Sequence, residues 1–392
     1  MSRTRAVSLA LAAAVLWGLA WSAAPARLHA PDYLAEEKDL QDYLDQGESL
    51  LHRLNSPWAV SRYMPASGLI AAALYNHSGR DGWRVWRAAT ATAAFWLTAY
   101  LGFLCGAPAL GLSAPIALWA LGHLSGGARG GVPWHGSAPF PQPMMELLVL
   151  AAACLAADRA ARPGVKRDRL LGTALGGALL FRSSLVFYPL WLAGQEALSG
   201  NRGRRAIRSW LTVGALAAVF VLPWGGVNRL VQGRWIFLEN MKADPMIVTA
   251  IAGEAGTAAV DPYRAAPGEV MSWALERIRA EPGAYAAGYA GRLAGILGTE
   301  PFLWLAGLAG FFRRRRGHEV RAVAGLAVYF AAVHSLFAVE PGHLAPLRPL
   351  LAVLAAAGIS SSHPQMPVSD RRRDRFALAA WALPVLMGGA AL

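Results

Sequence analysis

The chain has 392 residues, of which 55% are hydrophobic and 16% charged. A soluble domain carries about 25% charged residues, so a cytosolic globular enzyme is excluded, and disorder, collagen and coiled coil fall on the same composition. The net charge of +13 suggests nucleic acid only until positions are read: 20 of the 37 Lys and Arg lie in five short clusters, each bordering an apolar run as the positive-inside rule places them.

In chain order, Arg3 and Arg5 precede an apolar run at 6–24. That run has about 19 residues, enough to cross about 30 Å of hydrocarbon. Ala-rich residues at 23–30 leave cleavage of a signal peptide open, but the runs that follow favour a retained first helix. Ten further runs lie near 88–105, 107–124, 143–158, 170–181, 185–199, 209–224, 298–312, 320–338, 345–361 and 376–392. With residue 1 cytoplasmic, alternation puts the basic loops 159–169, 200–208, 313–319 and 362–375 inside. The same alternation puts the charge-balanced segments 25–87 and 225–297 outside. The sequence therefore predicts an all-α polytopic membrane protein of about eleven spans. It forms a single integral domain over 1–392, with its N-terminus cytoplasmic, in the cytoplasmic (inner) membrane of a bacterial host.

The first external loop, 25–87, holds a cluster of seven carboxylates at 32–48: Asp32, Glu36, Glu37, Asp39, Asp42, Asp45 and Glu48. On a helix, Leu40, Tyr43, Leu44, Gly47, Leu50 and Leu51 form an apolar stripe with the acids elsewhere. The acids suit a solvated face, or one of them suits a general base whose partial desolvation raises its pKa. Asp39, Asp42 and Asp45 at i, i+3 and i+6 also fit oxygen ligation, but no His or Cys joins them, and no metal site is expected. Arg62 and Tyr63 precede the weak apolar stretch 65–75, which is too short to cross and is expected to lie along the outer face. Arg62 there either binds a lipid head group or anchors the interface.

Cys105 and Cys154, both in apolar runs, read as small hydrophobes. The Gly- and Pro-rich stretch 125–143, with Arg129, is an external loop by parity, and Glu146 follows at the outer end of a run. Both flanks of 170–199 are basic, so this stretch goes out and returns on arms of about 18–22 Å at 1.5 Å per residue. Arg182 at its turn is therefore recessed, where an arginine normally faces a protein interior or aqueous cavity. The second large loop, 225–297, carries Arg229 and an amphipathic segment near 268–297. His334 lies in a run, His343 in the short loop after it, and Arg348 close behind. No P-loop, GxSxG elbow or HExxH is present, and the glycines at 125–131 do not follow a strand.

These features, in this order, resemble the GT-C superfamily of membrane glycosyltransferases, of the kind that includes protein mannosyltransferases and the lipid A aminoarabinose transferase. Asp39, Tyr43 and Leu50-Leu51 match the spacing of the family's first-loop acidic motif, with Leu40 in place of its second acid. Tyr63-Met64-Pro65 resembles a Tyr-Pro-Pro-like step, Glu146 a glutamate at the outer end of a span, and Arg182 the arginine of a Gly-Leu-Ala-x-x-x-Arg-Pro segment. Pro223-Trp224 with Asn228 and Gly233 resembles a Pro-Trp-x-x-Arg-Asn pattern, although the arginine position is Val227 and Arg229 comes two residues later. Near the end, Gly342-His343 stands where the family has Arg-Tyr, with Arg348 nearby.

The resemblance implies an inverting transferase that takes a sugar from a polyprenyl-phosphate carrier at the outer face. Asp39 is then the general base on an acceptor hydroxyl or amine. Arg182, with Arg229, His343 or Arg348, neutralises the leaving phosphate, and Arg62, Tyr63 and Glu146 help hold substrate. No cofactor or metal is required, and the expected partners are the sugar lipid, membrane lipids and an unidentified acceptor, with no nucleic acid. The alternatives are a non-catalytic GT-C-like subunit, a polyprenyl-lipid-binding or transport protein, and an enzyme moving another phospholipid-borne group.

Overall fold

The computed structural model describes residues 33–53, 63–106, 142–198, 203–239, 243–252, 268–337 and 341–359, and every regular element among them is a helix. The runs 6–24, 107–124 and 376–392, the stretch 125–141, Arg62 and Arg129 lie outside the described residues. The eight other apolar runs coincide with helices over most of their length.

Helix α1 (Tyr33–Glu48) ends in a π-type turn, Ser49–Arg53, and packs on α2 (Pro65–Leu104). The expected stripe is the buried side of α1: Leu40, Tyr43 and Gly47 are buried, and Leu44 and Leu50 half-buried. Leu51 is 48% exposed, because the widened turn carries it off the α-helical stripe. Close approach of the two helices depends on Gly47, where a Cβ would sit 2.1 Å from the Gly68 carbonyl oxygen.

The stretch 65–75 is helical as expected, but no irregular linker separates it from the run at 88–105. One helix covers both, broken at Gly79 (φ 60, ψ −152), a conformation that glycine adopts without a Cβ clash.

The centre is built by α3 (Gln142–Ala161), α4 (Val165–Leu179), α5 (Tyr188–Leu198) and α6 (Arg204–Gln232). Both α4 and α5 pack on α6, and the turn between them holds Arg182, so 165–198 is the out-and-back hairpin expected from charge. Helix α6 continues eight residues past the predicted end of its run, straight through Pro223. A proline removes one helical hydrogen bond, but Trp224, Gly225 and Asn228 are buried beyond it and hold the helix in place.

In the segment read as the second loop lie helices α7 (Ala243–Ala252), α8 (Glu269–Ala280) and α9 (Pro282–Thr299), the last two over the expected amphipathic segment near 268–297. The run at 298–312 is interrupted: α9 and α10 (Pro301–Arg314) meet at 90° about Glu300. Pro301 forces the residue before it out of the helical region, and Glu300 has φ −142 and ψ 59.

Helices α11 (His318–Ser335) and α12 (Leu347–Ile359) complete the core, with Tyr188, Tyr329, Phe330, Leu101 and Leu150 among its buried side chains. α10 and α12 touch backbone to backbone, since a Cβ on Gly358 would lie 2.3 Å from the Gly310 Cα. Small residues at such seams allow dispersion contacts along the whole crossing.

Among the described residues α6 alone is long and apolar enough to cross a membrane by itself, and α9 with α10 pass the same test as a bent pair. The polar contacts fall at two ends. One end joins α3, α4, α5 and α6 through Arg159, Asp168, Glu196 and Ser209. The other joins α2, α3, α11 and the residues after α6 to the turn that holds Arg182.

Candidate functional site

The site is assembled on the turn between α4 and α5. Helix α4 ends at Leu179, Arg182 is extended (φ −158, ψ 144), and Ser183–Leu185 form a 3-10 turn before α5 begins. Four elements fix this turn. The first turn of α2 docks on it, the Ala66 N–H donating to the Leu180 carbonyl at 2.9 Å and the Ser67 hydroxyl to that of Phe181 at 3.3 Å. From α11, the Tyr329 hydroxyl donates to the Ser184 carbonyl at 2.7 Å. From α3, Met145 Sδ lies 4.0 Å from Ser184 Oγ. The segment after α6 brings Glu239, whose Oε1 accepts from Ser183 Oγ at 3.1 Å.

At the centre Arg182 is only 5% exposed. Its Nη1 is buried, and the guanidinium has no hydrogen bond or ion pair among the described residues. A buried charge without a partner is costly, which makes Arg182 the candidate anion-binding side chain among the described residues. His334 of α11 lies within reach of this charge. Its Nδ1 is 2.8 Å from the Phe330 carbonyl, and its ring stacks on Phe330 at 4.5 Å. A carbonyl only accepts, so Nδ1 carries the proton and Nε2 is left as the acceptor of the neutral ring.

Tyr63 is 1% exposed. Its ring lies 4.2 Å from that of Tyr43, its hydroxyl donates to Asp42 Oδ2 at 3.2 Å, and its carbonyl accepts from Gln46 Nε2 at 2.7 Å. These contacts seat Tyr63-Met64-Pro65 and so deliver the N-terminus of α2 to Leu180 and Phe181. Asp39 lies on α1, one turn before Tyr43, with its side chain outside the described residues. Asp45 is engaged by Gln41 at 2.8 Å. Among the described residues no three His, Cys, Asp or Glu side chains gather in a metal-ligating group.

Of the other expected site residues, Glu146 is buried beside Met145 and belongs to this end of the molecule. Arg229 is exposed on the last turn of α6. Arg348 already has an anion, donating from Nε to Glu300 Oε1 at 2.6 Å at the α9–α10 bend. His343 is buried on the 3-10 turn Pro341–Leu344, which leads into the same region. The structure thus brings Tyr63, Glu146 and Arg182 to one end of the bundle, and sets Arg348 against Glu300.

Neither Glu239 nor Arg292 was anticipated. Glu239 ends the otherwise apolar stretch Trp235–Leu238, and a lone acid there is its only signal. Arg292 of α9 donates to the Ser335 and Ala250 carbonyls, each at 2.8 Å, and the Tyr285 hydroxyl to that of Leu336 at 3.1 Å. Together they satisfy carbonyls at the C-terminus of α11, next to His334, where a cation also suits the helix dipole. Of the first-loop acids it is Asp42 that receives the Tyr63 hydroxyl.

Comparison with protein-family models, with curated proteins and with solved structures returns no match for this chain.

Proposed function

We propose that this chain is a multi-pass protein of the cytoplasmic membrane that transfers a sugar from a polyprenyl-phosphate carrier to an acceptor hydroxyl or amine at the outer face, with inversion. The single observation that carries the reading is Arg182: a buried guanidinium, on a turn fixed by four elements and without an anion among the described residues. A planar guanidinium is the side chain best suited to phosphate. Placed where charge grows on the leaving phosphate, it lowers the barrier for departure.

The membrane setting rests on the charge alternation, on the apolar helices and on the segregation of polar contacts to two ends. The arms of the hairpin, α4 and α5, have 15 and 11 residues. At 1.5 Å per residue they are about 22 and 16 Å long, shorter than about 30 Å of hydrocarbon. Their turn accordingly sits below the outer surface, where a phosphate at the head of a lipid carrier reaches it from the side. Asp39 on α1 is the proposed base, deprotonating the acceptor as it attacks the anomeric carbon from the face opposite the phosphate. The C–O bond to the phosphate breaks as the bond to the acceptor forms, and the polyprenyl phosphate leaves with the electron pair, held by Arg182. No residue of this scheme calls for a metal.

The test is loss of labelled sugar from a polyprenyl-phosphate pool in native membranes carrying the wild type, Asp39→Asn or Arg182→Ala. Turnover that falls about a hundredfold or more in each variant supports the scheme. Wild-type membranes that consume none of several carrier-linked sugars would sink it. That outcome would favour the second reading, a non-catalytic lipid-binding subunit, which the engagement of Arg348 by Glu300 supports.

A further inference from the structure

We propose that Glu239 is the positioning residue of the Arg182 site. It holds the turn from behind through Ser183, and so aims the guanidinium without occupying it. This rests on the phosphate reading of Arg182 and adds a residue that neither the sequence motifs nor the resemblance includes.

The geometry begins with the strap that carries Glu239. Helix α6 ends at Gln232, and Gly233 (φ 75) turns the chain back. Asn228 Nδ2 then donates to the Ile236 carbonyl at 2.8 Å. Phe237 lies on Gly225, where a Cβ would come within 2.4 Å of its ring, and Trp235 stacks on Phe237 at 5.7 Å. Ile236 and Glu239 are buried, while Trp235 and Phe237 face outward. The strap is thus placed by α6 itself, before it touches the turn, and it offers Glu239 from a fixed base.

Glu239 meets Ser183 twice, accepting from Oγ at 3.1 Å and from the backbone N–H at 3.5 Å. Arg182 is the extended residue that leads into the 3-10 turn begun by Ser183. The carboxylate therefore fixes the residue next to Arg182 without bonding its guanidinium. Glu239 is 9% exposed and Arg182 5%, yet these two opposite buried charges, attached one residue apart, form no ion pair. Direct pairing would fill the guanidinium with an internal anion, as Glu300 fills Arg348. Binding Ser183 instead orders the backbone on either side of Arg182 and leaves its donors for a phosphate.

The experiment measures binding of short-chain polyprenyl phosphate, and separately of inorganic phosphate, to the full-length protein in detergent. The proteins are wild type, Arg182→Ala, Glu239→Ala, Glu239→Gln and Ser183→Ala, with sugar transfer followed in parallel. Gln keeps an oxygen for Ser183, so Glu239→Gln should bind within about threefold of wild type. Glu239→Ala should bind roughly tenfold more weakly and raise KM for the sugar lipid, with kcat little changed in the folded fraction. Ser183→Ala, a milder change that keeps the carboxylate, should fall between them, and Glu239→Ala should add little to it. Stronger binding of polyprenyl phosphate than of inorganic phosphate identifies a lipid head group as the ligand.

Wild type that binds better than Arg182→Ala but no better than Glu239→Ala and Ser183→Ala overturns the role of Glu239 alone. Glu239→Gln as weak as Glu239→Ala also overturns it, since charge and not hydrogen bonding would then be what matters. Wild type that binds no better than Arg182→Ala overturns the phosphate reading and this proposal with it.

Discussion

Arg159 is bonded to the first turn of α4 and Arg182 follows its last, at opposite ends of a 15-residue helix about 22 Å long. Both are more than nine-tenths buried, and their surroundings are opposite. Arg159 donates from Nε to Asp168 at 2.6 Å, from Nη1 to Glu196 at 2.5 Å and from Nη2 to Ser209 at 2.6 Å. One side chain of α3 thereby ties α4, α5 and α6 together. Arg182 has no such partner among the described residues. The difference separates two uses of a buried cation. A saturated guanidinium holds helices, and removing it harms the fold. An unsaturated one costs stability unless an anion completes it.

The largest effect on stability is expected from Arg159→Met. It strands the buried carboxylate of Asp168 beside the half-buried one of Glu196, and breaking a buried ionic network by removing one member costs about 3–5 kcal/mol. Thermal unfolding of the purified protein in detergent reads this directly, and Arg159→Met combined with Asp168→Asn and Glu196→Gln should recover most of the loss. An Arg159→Met protein that melts like wild type breaks the comparison at its structural end. Arg182→Ala is expected to do the reverse. Turnover drops about a hundredfold or more, while the melting temperature holds or rises because an uncompensated buried charge is gone. A large fall in stability with turnover intact would make Arg182 a second staple.

Packing sharpens the same contrast. A Cβ on Gly310 would lie 2.0 Å from the Leu354 carbonyl oxygen, and one on Gly47 2.1 Å from that of Gly68. Gly310→Ala and Gly47→Ala should each cost about 1–3 kcal/mol by overpacking. Only Gly47→Ala should also weaken polyprenyl-phosphate binding. It pushes α1 off α2, and α2 is the helix whose first turn is bonded to Leu180 and Phe181. Equal binding losses in both would show that the site senses general loosening rather than the α1–α2 seam.

Much of this architecture was legible because hydrophobic runs and basic clusters are local signals. The hairpin around Arg182 follows from two basic flanks and a run too short for two full crossings, and the structure has that hairpin. The buried stripe Leu40–Tyr43–Gly47 follows from helical spacing. Boundaries failed where tertiary contacts override a local rule. The apolar run ends at 224, yet buried Trp224 and Asn228 carry α6 onward to Gln232; Glu300 reads as part of a run, yet Pro301 breaks it.

The pairings were not legible, since Arg159–Asp168, Arg348–Glu300 and Ser183–Glu239 join segments 9 to 56 residues apart. Their charges look in sequence like a basic cluster, a spare phosphate ligand and an isolated acid. Arg348 is the instructive case. The spacing from His343 suggests a substrate arginine, while the 90° bend at Glu300 supplies it with an internal anion.

The same logic extends, with the smallest expected effect, to a pair of aspartates. Asp168 is engaged by Arg159 and by the Ser209 hydroxyl. Asp244, in the first turn of α7, has no hydrogen bond or ion pair among the described residues, and partial burial pushes its pKa from 3.8 up to about 6. A carboxylate whose folded pKa is raised binds its proton more tightly in the folded state. Below about pH 4 it is protonated in both states, and its burial then carries no charge penalty. Between about pH 4 and 6 the unfolded chain releases the proton first, so stability falls as pH rises through this window and levels off above it. Because Asp244 is only half-buried, solvent screening keeps the effect small. Asp244→Asn should flatten this part of the profile when melting temperature is followed from about pH 4 to about pH 7. The gain over wild type should be confined to the upper end, where the wild-type carboxylate is charged. An unchanged slope would assign the pH dependence to another group, and would remove Asp244 as the carboxylate counterpart of Arg182.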